Sequence, residues 1–206
     1  MKLIGRNLSP YTRRVAIAMN MLGVRHERDY LTPWNEAQAK DIRAQNPLTR
    51  VPILVLDDGE TLIESGAMLD HLMEGAGPRK ALIPPAGKPR RECLRIMALG
   101  TGVLDKGVAA FYERTKRPAE KVCKEWHDHL SSQVAGGLKS LEAQPMNPWF
   151  GGQKMTMADV TAAVAVSFVK RTNPALFPEG AYPKLEALAA KCEAMPEFKS
   201  SPLETP

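Results

Sequence analysis

The rhythm of apolar and polar positions changes partway along this chain of 206 residues. In the first third, short apolar runs alternate with turns. Residues 2–5 read as a short strand, and Asn7-Leu8-Ser9-Pro10 as a turn feeding a helix, with Pro10 in the first helical turn, where no donor is lost. Val15, Ala16, Met19 and Leu22 then recur at helical spacing until Gly23 supplies a C-terminal stop. Residues 25–31 alternate weakly as a second strand, and 32–45 are irregular or a poorly amphipathic helix. The β-branched run 51–56 meets Asp57-Asp58-Gly59, a hairpin signal, and 61–63 form the returning strand. A helix over 65–74 follows, with Met68, Leu69 and Leu72 on its apolar face.

Between Gly75 and Pro89 the composition turns to glycine, proline and charge. Beyond that stretch the pattern is helical throughout, with helices expected over 90–114, 118–142, 157–170 and 183–195. The reading is a first domain over 1–76, a linker over 77–88 and an all-helical domain over 89–206. Thr156 and Asp159, three residues apart, have the spacing of a capping box, with Met155 placed to staple against Val160.

Composition narrows the classes of function. The net charge of +5 is modest, and the basic residues are scattered among acids without interleaved aromatics, which argues against nucleic acid. A mildly basic surface suits an anionic peptide. No apolar run approaches the ~20 residues of a membrane span, and the chain opens on a strand pattern instead of a leader, so a cytoplasmic protein is expected. Cys93, Cys123 and Cys192 are odd in number and far apart, which fits neither a disulfide framework nor a metal site. They read as helix-packing thiols. Trp126, His127 and His129 cluster locally and read as helix packing and surface.

Chemistry concentrates at three places. Pro52 lacks an N–H and tolerates only the mouth of a strand, so the Arg50-Val51-Pro52 corner leaves neighbouring backbone groups free to bind. Glu64-Ser65 stands where a strand gives way to a helix, with Ser65 the expected N-cap and the helix start an anion site. Ser9 enters the first helix and either caps it or presents its hydroxyl to a ligand, and the two roles are compatible. Arg13 and Arg14 read as supports for the first helix and the sheet edge.

Val51-Pro52 before a hairpin, with Glu64-Ser65 at the following helix start, resembles the glutathione-binding half of the cytosolic glutathione S-transferases. The capping box, preceded by Trp149-Phe150-Gly151-Gly152, is similar to that family's core-helix signature. The resemblance implies a thioredoxin-like α/β N-terminal domain, an all-α C-terminal domain and a homodimer. It also implies a cis proline, a backbone pairing of Val51 with the cysteinyl part of glutathione, and Glu64-Ser65 on the γ-glutamyl end. The implied glutathione site is Ser9, Tyr11, Arg50, Val51, Pro52, Glu64 and Ser65, with Ser9 catalytic and Asn7 a second candidate donor to the sulfur. Tyr112 and Arg114 fall where the family binds a small apolar electrophile; no metal is implied.

Ser9-Pro10-Tyr11-Thr12 also resembles a glutaredoxin Cys-Pro-Tyr-Cys with both thiols replaced, so the reactive sulfur must come from glutathione, the co-substrate. The Ser-Ser-Cys of the isomerase class is absent, which speaks against maleylacetoacetate isomerisation. Glutathione transfer is the expected activity, in the manner of a detoxification enzyme. A glutathione-dependent disulfide reductase, or a non-catalytic binding protein that keeps the fold, stays open at this point.

Overall fold

The computed structural model describes residues 1–205, and the chain divides into two compact units. Residues 1–82 and the C-terminal segment from Met195 form the first; Ile83–Ala194 form the second.

The first unit runs β1 (Lys2–Ile4), α1 (Pro10–Leu22), β2 (Glu27–Asp29), α2 (Glu36–Gln45), β3 (Ile53–Val55), β4 (Thr61–Ile63) and α3 (Ser65–Lys80). Its sheet order is β2-β1-β3-β4. β1 and β2 are parallel, which requires a crossover, and α1 supplies it. β3 is antiparallel to both β1 and β4, with Ile4 opposite Ile53 and Ile53 opposite Ile63. Ile4 and Ile53 join Ile42 of α2 in one cluster, while Leu3 and Leu54, opposite each other in register, are fully buried as well. Successive strand residues point to opposite faces, so both faces of this small sheet are covered. This is the expected thioredoxin-like order.

β1 ends at Gly5, where φ is +132° and a Cβ would lie 2.6 Å from Thr12 Oγ1 and 2.9 Å from Val51 Cβ. Glycine lets the start of α1 and the Val51 corner close on the strand end together.

The second unit contains α4 (Gly87–Thr115), α5 (Lys124–Glu142), α6 (Met157–Thr172) and α7 (Pro183–Glu193). α6 is buried nearly all round and packs against α4 and α7, as an all-apolar helix must. Its capping box is present as expected: the Asp159 carboxylate accepts the Thr156 N–H at 2.8 Å and, in addition, the Phe150 N–H at 2.8 Å. α5 lies close on α4, for a Cβ on Gly137 would stand 2.5 Å from Val103 Cγ2.

Several boundaries differ from the sequence reading for physical reasons. α2 is a true helix because Asn35 caps it, accepting the Gln38 N–H at 3.1 Å; this local cap outweighs weak amphipathicity. α3 resumes beyond a break at Gly77 (φ 69°, ψ 167°), so part of the expected linker is helical. Pro118 does not open α5. A 3₁₀ turn over Ala119–Lys121 intervenes, and Glu113 accepts the Cys123 N–H at 3.0 Å just before α5 begins. The segment from Met195, expected with the helical domain, forms α8 (Pro196–Lys199) and packs on α1, with Phe198 and Ser201 fully buried. Among the described residues, no helix is long and apolar enough to cross a membrane.

Candidate functional site

The Val51 corner is set by Asn46, a buried amide just after α2. Its Nδ2 donates to the Arg50 carbonyl at 2.9 Å, its Oδ1 accepts the Leu48 N–H at 3.0 Å, and its carbonyl accepts the Thr49 N–H at 2.8 Å. The loop is thereby wrapped around one side chain and delivers Val51 to the mouth of β3. The Val51-Pro52 peptide is cis. Among the described residues, neither the N–H nor the carbonyl of Val51 has a backbone partner. Beside this corner lies a cavity of about 40 Å³ lined by Tyr11, Arg50, Val51, Pro52, Glu64 and Ser65. Asn46, Leu48 and Ile63 complete its wall. Six of the seven residues expected to hold glutathione therefore converge from three separate stretches of chain.

Ser65 is not the N-cap expected from sequence. Glu64 occupies the N-cap position of α3 with φ at 76°, a left-handed conformation that costs a side-chain-bearing residue about 1–3 kcal/mol. Ser65 is the first helical residue, and no side chain caps α3. The Ser65 hydroxyl instead accepts two hydrogen bonds from Arg14, Nη2 at 2.9 Å and Nε at 3.2 Å, and donates to Glu64 Oε1 at 3.3 Å. The expected N-cap is thus a clamp. Arg14, assigned only a supporting role from sequence, is buried and directs its charge at the start of α3. Guanidinium and helix dipole add there, which makes the place favourable for a carboxylate. Two adjacent arginines followed at once by Val15 and Ala16 were the sequence signal for a buried cation.

Ser9 lies outside the residues that line this cavity. It is the N-cap of α1, its Oγ accepting the Thr12 N–H at 3.3 Å. An oxygen that accepts from the helix keeps its own hydrogen to donate, so capping orients the hydroxyl without using up its donor. Asn7 is buried, its Oδ1 accepting from Arg28 Nη2 at 2.8 Å.

In the second unit, Arg114 Nη2 donates to the Thr172 carbonyl at 2.7 Å and to Asn173 Oδ1 at 3.0 Å. It satisfies the carbonyl end of α6 through that one nitrogen, and the Tyr112 ring lies 5.9 Å from that of Phe111. Trp126 is exposed and stacks on His129 at 5.5 Å, in keeping with a surface role.

Fold and site define a two-part class in which a thioredoxin-like unit with a cis-proline corner precedes an all-α unit. The chain matches the family model of the glutathione S-transferase N-terminal domain over residues 3–80 and that of the C-terminal domain over residues 103–200. It belongs to the glutathione S-transferase family. It is 25% identical, over 82% of either chain, to the uncharacterised GST-like protein YibF of Escherichia coli. It is 26% identical to the maleylacetoacetate isomerase of Pseudomonas aeruginosa, over 98% of this chain and 95% of that one. A glutathione S-transferase of Methylobacterium radiotolerans, solved with glutathione sulfonate, superposes with a TM-score of 0.90 at 28% identity, covering 97% of this chain and 93% of that one.

Proposed function

We propose that this protein is a glutathione transferase that uses Ser9 to activate the glutathione thiol for attack on a small apolar electrophile. The convergence of Tyr11, Arg50, Val51, Glu64 and Ser65 on one cavity, with the buried Arg14 hydrogen-bonded to Ser65, carries this reading. A relative of the same fold binds glutathione sulfonate, which supports it. The cysteinyl backbone of glutathione pairs with the open N–H and carbonyl of Val51 as an added strand would. Its γ-glutamyl carboxylate meets the start of α3 and its ammonium meets Glu64. Arg50, exposed at the rim, is the partner for the glycyl carboxylate. The Ser9 hydroxyl donates to the sulfur. A cytoplasmic homodimer belongs to the same proposal.

Thiolate formation by itself contributes little. Lowering a thiol pKa from ~8.5 to ~6.5 raises the thiolate fraction at neutral pH ~25-fold. The less basic sulfur is a weaker nucleophile, which returns roughly tenfold of that. Holding the electrophile in line with the sulfur must supply most of the acceleration. Isomerase chemistry is not carried over from the relative, because the Ser-Ser-Cys motif of that class is absent from this chain.

Ultraviolet absorbance of bound glutathione against pH tests the reading. The bound thiol is expected to titrate at least about one unit below free glutathione, equivalent to ~1.4 kcal/mol of thiolate stabilisation. Ser9→Ala should abolish most of that shift and cut turnover several-fold with glutathione still bound, whereas Ser65→Ala should weaken binding itself. Glutathione that fails to bind the wild-type protein, or binds with its thiol unshifted, rejects the proposal.

A further inference from the structure

The loop between β1 and α1, which carries Ser9, is held from several directions. The Gly5 N–H donates to the Asp29 carbonyl at 2.8 Å and the Arg6 N–H to the Leu31 carbonyl at 3.2 Å, while the Ser9 N–H turns back to the Arg6 carbonyl at 3.1 Å. Asn7 finds its backbone partner far along the chain: its N–H donates to Glu204 Oε1 at 2.8 Å. The second oxygen of the same carboxylate, Oε2, accepts from Arg6 Nε at 2.5 Å. Arg28 Nη2 fixes the other side of the loop, reaching the Gly5 carbonyl at 3.1 Å and Asn7 Oδ1 at 2.8 Å.

Delivery of Glu204 to this spot is built into α1. Arg13, with none of its surface exposed, donates from Nε to the Ser201 carbonyl at 2.9 Å and lies over the Phe198 ring at 5.7 Å. Asn20 Nδ2 stands 3.1 Å from each of the Glu197 carbonyl, Ser200 Oγ and Ser201 Oγ. These contacts fasten the C-terminal segment along the helix as far as Ser201. From there it runs on to the loop.

We infer that Glu204 is a positioning residue that holds the Arg6–Ser9 loop, and with it the Ser9 hydroxyl, in register with the glutathione sulfur. The inference rests on the function proposed above. Asn7 is 1% exposed with the Glu204 side chain over it, so removing that carboxylate takes away the one fixed partner of its N–H and frees the loop to shift. Asn7 and Ser9 are two residues apart, with Cα atoms no more than ~7 Å from each other, so a shift at one is felt at the other. A displacement of ~1 Å at a reacting group costs up to ~100-fold in rate.

The test compares Glu204→Ala with Glu204→Gln in steady-state turnover and in the pH titration of bound glutathione. Glu204→Ala should lower kcat at least ~5-fold with KM for glutathione within ~2-fold, because the Val51 and α3 contacts remain. It should also raise the bound thiol pKa by at least ~0.5 unit. Glu204→Gln keeps an oxygen for the Asn7 N–H and should recover most of kcat. A contact that only stabilises the fold would lower the melting temperature and leave kcat and the thiol pKa alone. Should Glu204→Ala fail to fold, Glu204→Asp, whose shorter arm withdraws the oxygen, replaces it with the same expectation. Wild-type kcat and thiol pKa in the variant overturn the inference, as do Ala and Gln variants that are equally slow. Wild-type protein that binds no glutathione overturns the proposed function first, and the positioning role with it.

Discussion

At the scale of single residues, burial decides what each cysteine can do. Cys192 is buried with its thiol pushed up to about 12, and burial raises Cys93 as well, with its Sγ 3.8 Å from Met97 Sδ. Both are the packing thiols the sequence suggested. Cys123, placed just before α5, is exposed and departs from that expectation, because the chain restarts its helix there instead of continuing one. An aromatic disulfide reagent at mildly alkaline pH should therefore modify the Cys123 thiol rapidly in the native protein and the other two only after denaturation. Fast labelling of Cys93 or Cys192 in the folded state would contradict this. The three cysteines look alike in sequence; their environments come from helix packing.

At the scale of an element, α6 shows how a local signal becomes a global one. The Asp159 carboxylate accepts the Phe150 N–H, the Thr156 N–H and the Thr156 hydroxyl, the last at 3.0 Å. Burial pushes its carboxyl upward, and those three donors oppose the shift. Asp159→Ala would leave them buried and unsatisfied at the start of the most buried helix of the second unit. The expected loss is about 3–5 kcal/mol, read from the urea midpoint. A loss below about 1 kcal/mol would mean that water replaces the carboxylate. The spacing of Thr156 and Asp159 announced the cap, but the third donor, Phe150, could not be read because it belongs to a preceding turn.

At the scale of the whole molecule, the first unit is assembled from both ends of the chain. A chain ended after Ala194 would strip the fully buried Phe198 from α1 and remove the Ser201 carbonyl from Arg13. Its first unit should lose at least about 3 kcal/mol, measured by denaturant unfolding or by hydrogen exchange of α1 amides. Unchanged protection of α1 would show that the segment only rests on it.

Apart from α2 and α8, periodicity and turn chemistry determined the order of strands and helices by themselves, because the register of a short amphipathic element is a local property. The Val51-Pro52 corner and the Glu64-Ser65 step were legible for the same reason: proline and a helix start restrict the backbone wherever they occur. Tertiary structure alone decided that Arg14, and not a cap, anchors Ser65, that Arg114 closes the end of α6, and that Glu204 reaches the loop before Ser9. Each of these pairs residues far apart in the chain. A long charged side chain carries no periodic signal of where its head will go, so its partner is fixed only when the helices around it have packed.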